Sequence, residues 1–258
     1  MKYMVKYYMI VMGVVMINLG LETIKYIILI QCILFISGSI IAFNRPKNHK
    51  FKRMLPRPIK ASISFLMSFT AIIVFLNSNN LTHKYSMFVL IGMILSSFAD
   101  LIMCRLIKTK NNLLWGMIIF SLAHINYVLA YISVMINADV FKLYYFIAAI
   151  VIFLSVVILE YKSFIGEYSR ERIIEVGSII YGAIIINMFV FAMFLFISVG
   201  GVFKYTFIAA IIFIISDCII ALTDILGYNF KLEGIAIWIT YTTAQMGIIC
   251  APIIIYIN

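Results

Sequence analysis

Charged residues are scarce in this chain, and no stretch between its apolar runs is long or polar enough to form a soluble domain. Only 12% of the 258 residues are charged, and just ten of these are acidic. Hydrophobic residues make up 65% of the sequence, and the mean hydropathy is +1.12. This composition excludes a water-soluble globular protein and predicts a polytopic membrane protein.

Cysteines and cofactor-binding motifs are also few. The four cysteines, Cys32, Cys104, Cys218 and Cys250, all fall within apolar runs and form no CxxC pair. Neither a zinc site nor a disulfide framework is therefore predicted. The sequence contains no P-loop, GxSxG or HExxH motif, so we expect neither a bound metal nor a cofactor.

Basic residues outnumber acidic ones, which gives a formal net charge of +10. The lysines and arginines lie in the breaks between apolar runs, where the positive-inside rule expects them. This distribution indicates membrane topology, and we expect no nucleic-acid partner. The partners expected from the sequence are membrane lipids.

Nine apolar runs, most of them near the ~20 residues that a spanning helix needs, dominate the sequence. They cover residues 4–19, 26–43, 59–76, 85–107, 113–136, 141–161, 173–199, 202–226 and 234–257. Hydrophobicity is continuous within each run and does not alternate, which excludes β-barrel strands. We predict an all-α, polytopic transmembrane helix bundle in a single membrane domain, residues 1–258. Eight of the spans lie within residues 26–257, and the first and shortest run, residues 4–19, forms a further N-terminal span.

The loop from Asn44 to Arg57 is the most basic, with six Lys and Arg residues. The positive-inside rule places it in the cytoplasm. Nine alternating spans then put 16 of the 20 Lys and Arg residues on the inner side. The expected protein is multi-pass, in a bacterial cell membrane, with its N-terminus in the cytoplasm and its C-terminus outside.

The ionisable residues Asp100, His124 and Asp217 each lie at least seven residues from both ends of an apolar run. Such a side chain costs about 3 kcal/mol or more within a bilayer, so it generally serves a site or a buried hydrogen bond. At 1.5 Å per residue they lie about 10, 16 and 14 Å from the inner edge of the membrane. The similar depths favour one shared site in the inner half of the membrane.

Other polar residues fall in the same layer. Ser97 precedes Asp100, Ser216 precedes Asp217, and Tyr127 lies three residues after His124, on one helix face. Tyr241 and Gln245 are spaced i and i+4, and Tyr181 reaches a similar depth. Tyrosines and Gln245 also serve as packing or interhelical hydrogen-bonding groups, so that alternative stays open.

Two residues near the inner interface are interpreted separately. Lys60 either binds a substrate phosphate or extends its ammonium group towards water. Glu160 is predicted to pair with Lys162, Arg170 or Arg172. Two carboxylic groups in a site of low dielectric constant can be held in different protonation states, which suits acid–base chemistry.

Several short strings occur in a fixed order along the chain. They are Ser97-Phe98-Ala99-Asp100-Leu101; Trp115-Gly116, Phe120, Ala123-His124 and Tyr127; Tyr181 and Met188; Phe213-Ile214-Ile215-Ser216-Asp217; and Tyr241 with Gln245. In this order they resemble the YhhN family of lysoplasmalogenase-like membrane proteins, from about Lys60 to Gln245. The family usually has Gly at the position of Ala99, and Lys-Pro where this chain has Lys60-Ala61.

The resemblance implies an integral membrane hydrolase that cleaves the vinyl-ether bond of lysoplasmalogens. The products would be a fatty aldehyde and a glycerophospho-ethanolamine or -choline, and the partner a lysophospholipid substrate. For this reaction the expected catalytic residues are Asp100, Asp217 and His124: one aspartate donates the proton, the other stabilises the cation, and His124 tunes the pair or positions the water. The expected substrate-binding residues are Lys60, Ser97, Tyr127, Tyr181, Ser216, Tyr241 and Gln245.

Two other classes of function fit the same residues. A proton-coupled transporter of small molecules or lipids also needs carboxylates in the membrane, although no inverted repeat is visible in the sequence. A structural or regulatory membrane protein would use the polar layer only to hold its helices together. Release of aldehyde from a lysoplasmalogen separates the hydrolase from both.

Overall fold

Helices make up almost all of the structure. The computed structural model describes residues 2–44, 54–164, 172–228 and 232–254, with residues 2–18, 163, 164 and 254 described by their backbone only, and these ranges contain no β-strand. The helices are α1 (Lys2–Asn44), α2 (Arg57–Leu76), α3 (His83–Met103), α4 (Asn112–Asn137), α5 (Leu143–Phe164), α6 (Arg172–Val199), α7 (Phe203–Ile220) and α8 (Glu233–Ile254). A π-helical turn, Ala221–Ile225, extends α7.

All eight helices contain a segment that is long and apolar enough to cross a membrane. This confirms the predicted all-α, multi-pass bundle. The ends of α2 to α6 agree with the apolar runs to within four residues, because the charged and turn-forming residues that end each run also end each helix.

The N-terminal helix differs from the prediction of two separate spans. Helix α1 is continuous through Gly20–Lys25, where a loop was expected. The helix continues there because the segment has no proline, and Lys25 forms a salt bridge of 2.7 Å with Glu22 one turn away. Among the residues with described side chains, the span covers Leu19–Phe43.

The length of this continuous helix exceeds the thickness of a membrane. Its 43 residues correspond to about 65 Å at 1.5 Å per residue, whereas the hydrocarbon core of a bilayer is about 30 Å thick. Two antiparallel spans would need a turn near residues 20–25, where α1 is helical, and the separate span at residues 4–19 stays a prediction. The predicted cytoplasmic N-terminus depends on that span, and a single crossing by α1 would place the N-terminus outside.

Helices α3, α4, α6, α7 and α8 form the centre of the bundle, with α2 packed on α3 and α8. Helix α5 packs chiefly on α6 and exposes most of its surface. Helices α3 and α4 approach closely at Gly92, where an added Cβ would lie 2.8 Å from Tyr127 Cδ1 and 3.1 Å from the Ala123 carbonyl oxygen. Small residues allow such approaches where lipid offers no hydrophobic drive for helix association.

The turn between α3 and α4 is held by two asparagines. Asn111 caps α4 by accepting a hydrogen bond of 3.1 Å from the Leu114 amide, which satisfies a free donor at the start of the helix. The Asn112 side chain donates to the carbonyls of Ile102 (2.5 Å) and Ile107 (2.9 Å). These contacts fix the end of α3 that carries Asp100.

Candidate functional site

A cavity of about 300 Å³ opens at the end of the bundle where α2, α4, α6 and α8 begin and α3, α5 and α7 end. All seven of these helices contribute to its walls, which are mostly Ile, Met and other apolar side chains. The polar lining residues are Lys60, Asp100, Glu160, Ser178, Tyr181, Asp217, Asp224 and Tyr241. The cavity therefore combines an apolar volume with a small set of charged and hydroxyl groups, as ligand sites commonly do.

Asp100 lies on one wall and is almost completely buried, with 5% of its surface exposed. Ser64 on α2 donates a hydrogen bond of 2.6 Å to its Oδ2 atom. The Tyr241 hydroxyl on α8 donates another, of 2.9 Å, to the same oxygen. Two donors on one carboxylate oxygen stabilise the ionised form of the aspartate in an apolar surrounding.

Asp217 lies on the same cavity, from α7. The hydroxyl of Tyr181 on α6 donates a hydrogen bond to Asp217 Oδ2. The structure thus brings together Asp100, Tyr241, Asp217 and Tyr181, which the sequence analysis selected as residues of one site.

His124 lies behind the cavity and does not line it. The ring is fully buried, with Nε2 3.4 Å from the Tyr181 hydroxyl and Nδ1 3.3 Å from Met188 Sδ. Phe213 packs edge-on against the imidazole, at 4.8 Å between ring centroids. His124 therefore reaches Asp217 through Tyr181, and its position is that of a residue that orients Tyr181.

Tyr127 and Gln245 also lie behind the cavity wall. The Tyr127 hydroxyl donates to Gln245 Oε1 at 2.8 Å, and Gln245 Nε2 lies 3.2 Å from Ser96 Oγ and 3.4 Å from the Tyr241 hydroxyl. This network joins α3, α4 and α8 and ends on the tyrosine that donates to Asp100. Its contribution to the site is the orientation of Tyr241.

Neither predicted serine lines the cavity. Ser97 donates to the Ser64 carbonyl at 3.2 Å and lies 2.7 Å from Ser68 Oγ, so it joins α3 to α2. Ser216 donates to the Ile237 carbonyl at 3.2 Å and joins α7 to α8. Both serines act as interhelical hydrogen-bonding groups next to the aspartates.

Lys60 lines the cavity from α2. Its Nζ atom lies 5.6 Å from the centroid of the Trp238 ring, within the range of a cation–π interaction. The Trp238 ring is itself packed edge-on against Tyr241, at 5.5 Å between centroids. The ammonium group is thus held beside the aromatic wall of the cavity.

Five residues of the site were not selected from the sequence: Ser64, Glu160, Ser178, Asp224 and Trp238. Ser64 lies one turn after Lys60, on the same face of α2, and this i, i+4 spacing was the available signal. Trp238 lies three residues before Tyr241 on α8 and offered a similar signal.

Glu160 does not pair with two of its three predicted partners. Its side chain lines the cavity and forms no salt bridge with Lys162, Arg172 or any other described residue. Arg170, the third expected partner, lies outside the described residues. Glu160 is therefore one of four carboxylates on the wall of the same cavity, with Asp100, Asp217 and Asp224.

Comparison with known proteins gives one result. No curated protein and no solved structure matches this chain. A family model, described as the YhhN family, matches residues 55–251. The matched region includes helices α2 to α7 and most of α8, and so contains every helix that lines the cavity. The chain belongs to the YhhN family.

Proposed function

We propose that this membrane protein hydrolyses the vinyl-ether bond of lysoplasmalogens, giving a fatty aldehyde and a glycerophospho-ethanolamine or -choline. The observation that carries the proposal is that Asp100 and Asp217 face one apolar cavity in a chain of the YhhN family. The apolar walls suit the alkenyl chain of a lipid, and the carboxylates suit acid–base catalysis.

Hydrolysis of a vinyl ether begins with transfer of a proton to the double-bond carbon that is not bonded to oxygen, which leaves an oxocarbenium ion. Water then adds to the cationic carbon, a proton is lost, and the resulting hemiacetal separates into an alcohol and an aldehyde. The reaction needs one acid to deliver the proton and one anion to stabilise the cation. Both groups are supplied by two aspartates, and the co-reactant is water.

The hydrogen bonds support different roles for the two aspartates. Asp100 accepts from both Ser64 and Tyr241, and the ammonium group of Lys60 lines the same cavity. These groups favour an ionised Asp100, which stabilises the oxocarbenium ion. Asp217 accepts one described hydrogen bond, from Tyr181 to Oδ2, and in this proposal its other oxygen carries the proton that is transferred.

Lys60 is assigned to the substrate phosphate. Its Nζ atom forms no salt bridge with any described carboxylate and lies beside Trp238. An ammonium group at the wall of an apolar cavity is a suitable partner for a phosphate. Binding the phosphate there leaves the alkenyl chain to follow the apolar walls past the two aspartates.

The test is release of aldehyde by the purified protein from a 1-alkenyl lysophospholipid. The matched control is the 1-alkyl lysophospholipid, which has no double bond to protonate and should release none. Asp100→Asn and Asp217→Asn, each checked for folding, should both lose activity. If the folded wild-type protein released no aldehyde at any substrate concentration, the proposal would be contradicted.

A transporter is the second candidate, and one observation favours it. The π-helical turn Ala221–Ile225 follows α7 four residues after Asp217, and Ala221, Asp224 and Ile225 line the cavity. Interrupted helices beside intramembrane carboxylates are found in many secondary transporters. Proton-dependent uptake of a lysolipid into proteoliposomes, without release of aldehyde, would favour this function over hydrolysis.

A further inference from the structure

We infer that Glu160 binds the ammonium group of a zwitterionic lysolipid head group and so determines head-group specificity. The inference rests on the proposed function, because it concerns a substrate of the same cavity. Glu160 lies near the end of α5, the helix most exposed to the surroundings of the bundle. Its half-buried side chain nevertheless lines the cavity that contains Asp100 and Asp217.

The carboxylate of Glu160 rests against the backbone of α6. A Cβ atom at Gly182 would lie 2.8 Å from Glu160 Oε1 and 3.0 Å from Oε2. The missing side chain at Gly182 therefore makes the space that the carboxylate occupies. Through this contact the charge lies on the cavity side of α5.

Within the described part of the chain, Glu160 has no partner that compensates its charge. It forms no salt bridge or hydrogen bond with another described residue. Asp100 and Asp217, by contrast, each accept hydrogen bonds from protein hydroxyls. An uncompensated carboxylate in an apolar cavity is costly, and a bound cation would offset that cost.

The positive charge in the cavity is that of Lys60, on another wall. Lys60 lies on α2, which packs on α3 and α8, whereas α5 packs chiefly on α6. One ammonium group and one carboxylate thus border the same volume without forming a salt bridge with each other. A head group that carries a phosphate and an ammonium group complements both, the phosphate at Lys60 and the ammonium group at Glu160.

The experiment compares two vinyl-ether lysolipids with the same chain, one with a phosphoethanolamine head group and one with phosphate alone. The wild-type protein should show a higher kcat/KM for the amine-bearing substrate. Glu160→Gln, which is of equal size but neutral, should lower kcat/KM for that substrate about tenfold, mainly through KM. The same variant should change kcat/KM for the phosphate-only substrate less than threefold, a margin of about 0.6 kcal/mol in binding.

Two further variants separate charge from structure. Glu160→Asp keeps the charge and should retain more of the amine preference than Glu160→Gln. Glu175→Gln is the same substitution on α6, at a residue that does not line the cavity, and should leave the preference unchanged. Equal losses on both substrates for Glu160→Gln, or no loss on either, would overturn the inference.

A binding measurement separates this inference from the hydrolase proposal. Uncleavable 1-alkyl lysophosphatidylethanolamine and 1-alkyl glycerol phosphate are titrated onto wild-type and Glu160→Gln protein. If the wild-type protein releases no aldehyde, the hydrolase proposal fails, while a Glu160-dependent preference for the amine-bearing ligand still supports head-group recognition. If aldehyde is released but the two proteins bind both ligands with the same ratio of affinities, only the Glu160 inference fails.

Discussion

The Tyr241 hydroxyl on α8 donates a hydrogen bond of 2.9 Å to Asp100 Oδ2 on α3. The same hydroxyl lies 3.4 Å from Gln245 Nε2, which ties it to the network behind the cavity. Tyr241 therefore links the carboxylate that we assign as the anionic stabiliser to the interior of the bundle.

Replacement of Tyr241 with Phe should lower aldehyde release about 10- to 100-fold. A hydrogen bond to a charged group contributes about 1.5–3 kcal/mol, and Ser64 would remain as the other donor to Asp100. Aldehyde release by purified Tyr241→Phe, measured against wild type, checks this. Tyr144→Phe, at an exposed tyrosine on α5, is the control, and equal activity of all three proteins would show that the Tyr241 hydroxyl is not needed.

His124 and Tyr181 should act as one unit. His124 contacts the Tyr181 hydroxyl, and Tyr181 donates to Asp217, so His124→Gln should be milder than Tyr181→Phe. The double variant should be no worse than Tyr181→Phe alone, because the histidine has lost the group through which it acts. Comparison of kcat for the three variants is the measurement. If the fold loss of kcat in the double variant equalled the product of the two single losses, His124 would have an independent role.

The helices could be predicted from the sequence because membrane thickness sets their length and hydropathy marks them directly. The shared layer of Asp100, Asp217, Tyr181 and Tyr241 could be predicted as well. Depth along a helix depends only on residue count, and the loop charges indicate which end is inside. These residues do line one cavity.

The rotation of each helix about its axis could not be predicted in this way. In a membrane both the lipid-facing and the core-facing sides are apolar, so hydrophobic periodicity is weak. Ile147, for example, is 54% exposed whereas Met93 is fully buried, although both are large apolar residues. The sequence analysis therefore selected His124 as a cavity residue, although it lies behind Tyr181, and did not select Ser64, which faces Asp100.

Both chain termini should lie outside the cell. The basic loop between α1 and α2 is expected to be cytoplasmic, and a single crossing by the continuous helix α1 would place Lys2 on the outer side. With eight spans, 14 of the 20 Lys and Arg residues lie on the inner side. Reporters active only in the cytoplasm, fused at each terminus, should be inactive. Activity of a C-terminal fusion would reverse the orientation, and activity of an N-terminal fusion alone would mean that α1 does not cross in this way.

The contact between α3 and α4 at Gly92 should be sensitive to a single methyl group. Gly92→Ala would place a Cβ 2.8 Å from Tyr127 Cδ1 and 3.1 Å from the Ala123 carbonyl. Such overpacking typically costs about 1–3 kcal/mol, and the displaced Tyr127 would weaken its hydrogen bond to Gln245. Thermal unfolding in detergent should show a lower midpoint. Gly201→Ala, in the turn after α6, is the control, because an added Cβ there would have no atom within 4 Å. Gly201 has a φ of +57°, so this variant reports the cost of backbone strain without overpacking.

The two aspartates provide the strictest test of the mechanism. Asp100→Asn and Asp217→Asn keep the size of the side chain but remove the charge or the transferable proton, so each should lower aldehyde release about 100-fold or more. If the residues act as a unit, the double variant should lose much less than the product of the single losses. Asp139→Asn, in the turn between α4 and α5 and away from the cavity, is the matched control. Near-normal aldehyde release by both folded single variants would remove the hydrolase mechanism, because the mechanism assigns the proton transfer and the stabilisation of the cation to these two carboxylates.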